Sequence, residues 1–230
     1  MNTGCERPDR LTLPRESDLA AVDNLVSPGH STRVGALATQ VALAMGMGSF
    51  DALLIGQAAR WHDIGKIAVP SEVLGKPDKL TASERRVVDR HVWHGKTLLS
   101  QRPSPLASLA ADIALWHHER YDGLGHPHNL RGSDIPLPVR IVSVVDVFDA
   151  LSNDRPYKAA WPRDQVVAHF EDARGRAFDP RCVDALLQLL EATANPSPYL
   201  RGTYALAHLF AGWRASARNE VISDKPGARR

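Results

Sequence analysis

The stretch "RIVSVVDVFDAL", residues 140–151, is apolar almost throughout, yet Asp146 stands in its middle with Val142 and Val145 on the same face. No glycine or proline interrupts it, and it follows the turn-rich segment 122–138. It reads as a buried helix. A carboxylate buried there without compensation costs several kcal/mol, so something must meet it.

Working outward, the same conflict recurs. Val34, Leu37, Ala38, Val41 and Met45 keep the i, i+3, i+4, i+7 spacing of an amphipathic helix that Gly46 and Gly48 end. A second helix is predicted over 50–62, where the stripe Ile55, Ala58, Ala59 leads to His62. A third opens on the capping box of Thr81 and Glu84 and runs to about Leu99, with His91 inside the stripe Val87, Val88, Gly95, Leu98. A fourth, over 105–119, carries Leu106, Leu109, Ala110 and Ile113 toward His117. Two more helices are expected near 163–172 and 180–193. There is no convincing period-2 strand, so the fold class is all-α.

A single histidine on an apolar face is more often a hydrogen-bonded core residue than a ligand. A single aspartate in an apolar helix more often caps a neighbouring helix or pairs with an arginine. Four helices that each aim such a group inward would need four separate partners, whereas one shared metal site satisfies them all. Nitrogen and carboxylate donors without thiolates suit Fe, Mn, Co, Ni or Zn rather than a soft-metal site.

The 230 residues are enough for one large domain. Lys plus Arg total 28 against 26 acidic residues, a net charge of +2 that leaves no footprint for nucleic acid. Two cysteines are too few for a disulfide framework and point to the reducing cytoplasm. No apolar run reaches membrane-spanning length. The expected organisation is a flexible lead-in at 1–17, a domain at 18–195, and a tail at 196–230. That tail carries one amphipathic segment with Leu206, Leu209, Phe210 and Trp213, then a disordered basic end.

Taken together, "HDIGKIAVP" (62–70), "LGKPDKLTASE" (74–84), "HVWHG" (91–95), "HHERYDGLGHP" (117–127), "RIVSVVDVFDAL" (140–151), "DRPYK" (154–158) and "FDP" (178–180) resemble, in order and spacing, the HD-GYP family of bacterial metal-dependent phosphohydrolases. The resemblance covers about residues 20 to 193. It implies an HD-domain helical bundle with a central metal site that hydrolyses cyclic di-GMP to linear pGpG, with GMP as a second product. By position it implies metal ligands at His30, His62, Asp63, His91, His117, His118 and Asp146, holding two divalent ions, iron or manganese. Asp63 is the expected bridge, with His30, His62 and Asp146 on one ion and His91, His117 and His118 on the other. Lys66 resembles the lysine that contacts substrate phosphate and would stabilise charge in the transition state. Arg155 and Lys158 resemble residues that hold the dinucleotide phosphates.

Two positions depart from the family pattern. Val26 stands where trinuclear members carry a glutamate and cannot ligate, which favours two metals. His126 replaces the tyrosine of "GYP", in a loop that the resemblance associates with docking a diguanylate cyclase domain and with shaping the substrate rim. Its ring is expected at that rim, outside the ligand set. His94 and His128 read as solvent-facing or bracing, and Asp149 and Asp122 as residues that hold helix and loop. Two other functions remain open: a catalytically silent interaction module, and a phosphohydrolase for another cyclic dinucleotide.

Overall fold

The computed structural model describes residues 14–101, 104–154 and 159–194. Among them the chain is helical, with no strand and only an isolated bridge between Arg174 and Phe178. Helices α1 (Glu16–Val26), α2 (His30–Ala44) and α3 (Ser49–Ala59) are followed by a 3-10 turn at Ile64–Ala68 and the single turn α4 (Ser71–Leu74). Then come α5 (Ala82–Asp89), α6 (His91–Ser100), α7 (Pro105–Trp116), α8 (Leu137–Ser152), α9 (Arg163–Ala173) and α10 (Pro180–Ala194). Arg155, Lys158, the lead-in up to residue 13, the segment bearing Leu206, Leu209, Phe210 and Trp213, and the side chain of Val26 lie outside the described residues.

The apolar stripes meet as their spacing requires. Val34, Leu37, Ala38 and Val41 of α2, Ile55, Ala58 and Ala59 of α3, Ala110 and Ile113 of α7, and Val142 and Val145 of α8 are all buried in one core. Ser104 caps α7 through Ala107 N–H, and Pro105 sits at its first turn, where a missing N–H costs nothing. In the "FDP" motif, the Asp179 carboxylate accepts from Arg181 N–H at the start of α10 and pairs with Arg140 of α8, tying those two helices together.

Three boundaries differ from the sequence reading. The fourth helix, expected over 105–119, ends at Trp116 and leaves His117 just beyond it. The second helix stops at Ala59 rather than at His62, and residues 60–63 form a turn that leads into the 3-10 segment. The expected helix from Thr81 to Leu99 is broken at Arg90. The capping box is present, but α5 lies on the surface with no buried residue, and Val87 is 36% exposed. The break resets the helical phase, so the inward face of α6 is His91, Val92, Gly95 and Leu99, not the stripe through Val87, Val88 and Leu98. Sequence reading also placed no helix at α1, whose Asp23 accepts from Ser31 N–H and Oγ–H and so caps the start of α2.

Candidate metal centre

Helix ends, rather than helix middles, build the site. His30 is the first residue of α2 and His91 the first of α6, while His62–Asp63 close the turn that follows α3 and His117–His118 directly follow the C-terminal end of α7. Asp146 comes from the second half of α8. Thus α2 and α6 run away from one point that α3, α7 and α8 approach. Gly65 makes this possible: a Cβ there would collide with the His91 carbonyl, so only glycine lets the turn after Asp63 lie against α6.

The seven predicted ligands fall into two groups. His30 Nε2 lies 3.3 Å from His62 Nε2, and Asp146 Oδ1 is 3.2 Å from the first and 3.6 Å from the second. In the other group His91 Nε2 and His117 Nε2 are 3.4 Å apart, and the His118 ring lies 4.0 Å from that of His117. Asp63 stands between them. Its Oδ2 is 3.4 Å from His62 Nε2, whereas its Oδ1 is 3.3 Å from His91 Nε2 and 3.7 Å from His117 Nε2. The Lys66 ammonium pairs with Asp63 Oδ2.

The protein chemistry around these atoms fits a cation. The outward nitrogens are already committed: Nδ1–H of His62 donates to Ala59 O at 2.9 Å, that of His91 to Val88 O at 2.7 Å, and that of His117 to Ala114 O at 3.1 Å. His30 Nδ1–H donates to Asp149 Oδ2 at 2.7 Å. Those bonds fix the tautomers so that the Nε2 lone pairs converge, the usual arrangement behind metal-bound histidine. Asp63 Oδ1 is buried with no hydrogen-bond partner among the described residues, which costs about 1–3 kcal/mol unless something else satisfies it. A divalent ion would meet both needs.

Without an ion the two groups are electrostatically opposite. Burial alone would push His62 down, but Asp63 and Asp146 overcome it and hold the imidazole up at about 10. His30 is likewise raised, against its burial, by Asp146 and Asp149. In the second group burial wins: His91 is lowered, His117 well below its ordinary value, and His118 falls to about 3, with the neighbouring imidazoles adding to the effect. Burial opposes ionisation of Asp63 and Asp146 too, yet Lys66 and His62 for the one, and His30 and His62 for the other, keep both well below the usual carboxylate range.

A profile of the HD domain family matches residues 14–182. The chain belongs to the HD domain family. The cyclic di-GMP phosphodiesterase response regulator RpfG of Xanthomonas campestris is 51% identical over 183 residues, 80% of this chain and 48% of that protein. A cyclic di-GMP phosphodiesterase of Thermotoga maritima is 41% identical over 70% of this chain and 44% of its own length. The 3'3'-cGAMP-specific phosphodiesterase 2 of Vibrio cholerae is 38% identical over 69% and 30%. The chain therefore spans about half or less of these relatives. In fold it is similar to the crystal structure of a cyclic GMP-AMP-specific phosphodiesterase of Vibrio cholerae, with a TM-score of 0.57 and 17% identity, covering 90% of this chain and 52% of that one. The HD-GYP resemblance and the all-α fold both hold.

Other residues of this HD domain brace the ligands. Asp149, 1% exposed, receives Arg33 Nε–H at 2.6 Å as well as His30, and Arg33 also donates to Pro28 O. Sequence reading singled out Asp149 but not Arg33, although Arg33 lies one helical turn after His30. Buried Glu119 accepts from His128 N–H and Leu130 N–H, and Ser143 Oγ–H donates to His117 O. Sequence reading noted Glu119 beside the His117–His118 pair without giving it a role, and it missed Ser143. Asp122 holds the loop through Arg120 and Leu124 N–H.

His94 is half-buried, its Nδ1 without a partner among the described residues. His128 is exposed and accepts from Trp116 Nε1–H. His126 belongs to neither ligand group, but its ring lies against His118, with centroids 5.0 Å apart, closer to the ligands than a rim position implies.

Proposed function

We propose that this HD domain is a metal-dependent phosphodiesterase that hydrolyses cyclic di-GMP to linear pGpG, with GMP as the product of a second cleavage. The observation that carries this reading is Asp63, whose two oxygens face two separate groups of imidazole nitrogens. Such a carboxylate suits a pair of ions, one held by His30, His62, Asp63 and Asp146, the other by Asp63, His91, His117 and His118. Paired divalent ions acidify a water and neutralise phosphoryl oxygens, the two requirements of phosphodiester hydrolysis. Histidine and carboxylate donors accommodate iron or manganese, the ions that the HD-GYP resemblance implies. Lys66 carries positive charge at the edge of this group and is assigned to the substrate phosphate, where it stabilises the charge that builds during cleavage. Arg155 and Lys158 are assigned to the remaining phosphate of the dinucleotide on their motif positions.

The catalytic unit is residues 18–195, and its place of action is the cytoplasm, the compartment that its cysteine usage favours. No helix among the described residues is long and apolar enough to cross a membrane. A diguanylate cyclase domain is the proposed partner of the GHP loop, supported by Leu124, which is 77% exposed there.

The relatives named for 3'3'-cGAMP support a second reading, a mixed dinucleotide, but the 51% identity to a cyclic di-GMP phosphodiesterase favours the first. Purifying the protein with and without oxygen, loading it with Fe(II), Mn(II) or Zn(II), and presenting cyclic di-GMP, 3'3'-cGAMP and cyclic di-AMP tests both. Cyclic di-GMP should have the highest kcat/KM. Fe(II) or Mn(II) should restore activity lost in air. Preference for 3'3'-cGAMP selects the second reading, and inertness toward every substrate with both ions bound would leave only an interaction module.

A further inference from the structure

We propose that His126 is a substrate-contacting residue, its imidazole seated on His118 and donating a hydrogen bond to the phosphodiester being cleaved. This rests on the phosphodiesterase reading above. His126 is held by a built loop. Its backbone N–H donates to His118 O at 3.3 Å. Gly125 lies so close to the end of α7 that a Cβ would come within 2.6 Å of both Glu119 Cα and His118 O. Glu119 fixes the residues that follow through two backbone N–H groups. The ring is tilted 31° from that of His118 and half-buried.

His118 differs from the other ligand histidines. His30, His62, His91 and His117 each have a ring nitrogen anchored by a carboxylate or a carbonyl. Among the described residues His118 has no such anchor, only ring contacts to His91, His117 and His126. Neither ring nitrogen of His126 has a hydrogen-bond partner among the described residues. A half-buried imidazole in that state is poised for a ligand or for water. A ring tilted 31° to that of His118 keeps its nitrogens at its edge, away from the ring contact. What a phosphodiesterase brings to the ion that His118 would hold is the anionic phosphodiester, and a hydrogen bond to such a group is charge-assisted. Leu124, two residues earlier, is 77% exposed, so one loop turns an apolar side chain outward and an imidazole toward the ligands.

The test uses the whole chain loaded with Mn(II), two substrates, and the variants His126→Phe and His126→Tyr. Phenylalanine keeps a ring on His118 and removes the donor. It should leave bound metal unchanged and lower kcat/KM by about 10–100-fold, the worth of a hydrogen bond to a charged group. The loss should be similar for cyclic di-GMP and for bis(p-nitrophenyl) phosphate, which share only the phosphodiester. Tyrosine, with its hydroxyl donor, should recover most of it. A phenylalanine variant as active as the parent, one that has lost metal, a loss confined to cyclic di-GMP, or a tyrosine variant no better than phenylalanine would each overturn the assignment. A parent protein that cleaves the aryl phosphodiester but not cyclic di-GMP would instead overturn the substrate reading and leave His126 open to the same test.

Discussion

The group built from His30, His62 and Asp146 and the group built from His91, His117 and His118 use the same ring nitrogens in opposite surroundings. Around the first stand Asp146 and, one turn along α8, Asp149, and both its histidines are raised. Among the described residues the second is joined by the shared Asp63 but by no carboxylate of its own, and all three of its histidines are lowered. A cation entering the first group meets negative charge but must displace protons, whereas one entering the second meets neutral imidazoles already free of them. Ligand type alone therefore does not set the properties of a metal position. The charge just behind the ligands does.

Asp63 is the one side chain that belongs to both groups, so its removal should erase the contrast. Asp63→Ala should lose metal from both positions and reduce turnover well beyond the roughly 10²–10³-fold that one charge-stabilising contact costs. Metal per chain after desalting, measured with kcat on the same sample, checks this; retained metal with normal kcat would break the bridging assignment. Lys66→Ala should sharpen it from the other side. With the ammonium gone both metals remain, while kcat falls on the order of 10²–10³-fold. If metal is lost instead, Lys66 serves Asp63 rather than substrate.

Much of this was legible in the sequence because burying a polar group is costly. Asp146 in an apolar helix, and His62 and His117 continuing apolar stripes, announced a common polar centre before any coordinates. Helix ends were less legible. His62 was expected inside a helix and lies in the turn after it. His91 was placed on a continuous stripe, yet it opens a new helix, because nothing in "VVDRHV" marks the break at Arg90. Arg33 escaped notice since an arginine on an amphipathic helix looks like solvent-facing charge until its partner, 116 residues away, is known.

The bracing of His30 offers a gentler way to separate the two groups. Asp149→Asn keeps the shape of the side chain but removes the charge that pairs with Arg33 and raises His30. Loss of such an orienting partner typically weakens metal binding about 10–100-fold. A chelator titration should release one equivalent of metal earlier and leave the other unchanged. Equal weakening of both equivalents would show that the groups act as one unit.

The last effect concerns pH and needs the protein stripped of metal. His62 binds its proton more tightly folded than unfolded, with a folded value of about 10 against an ordinary 6.5. Its contribution to stability is complete below about pH 6.5 and is lost as pH rises through about 10. His118 does the reverse. Its folded value of about 3 lies below the ordinary 6.5, so the unfolded chain takes up the proton first and stability falls as pH drops from about 6.5 toward 3. The two groups thus tilt the stability curve in opposite directions, and thermal melts should peak near pH 6.5. The lowered carboxylates Asp63 and Asp146 add their own loss only at the acid end, below about pH 4. His62→Asn should flatten the alkaline limb most and, because His62 also helps lower Asp63 and Asp146, change the acid limb less, whereas His118→Asn should flatten part of the acid limb alone. Melts that change equally on both limbs in either variant would mean that the protons are shared across the whole cluster rather than divided at Asp63.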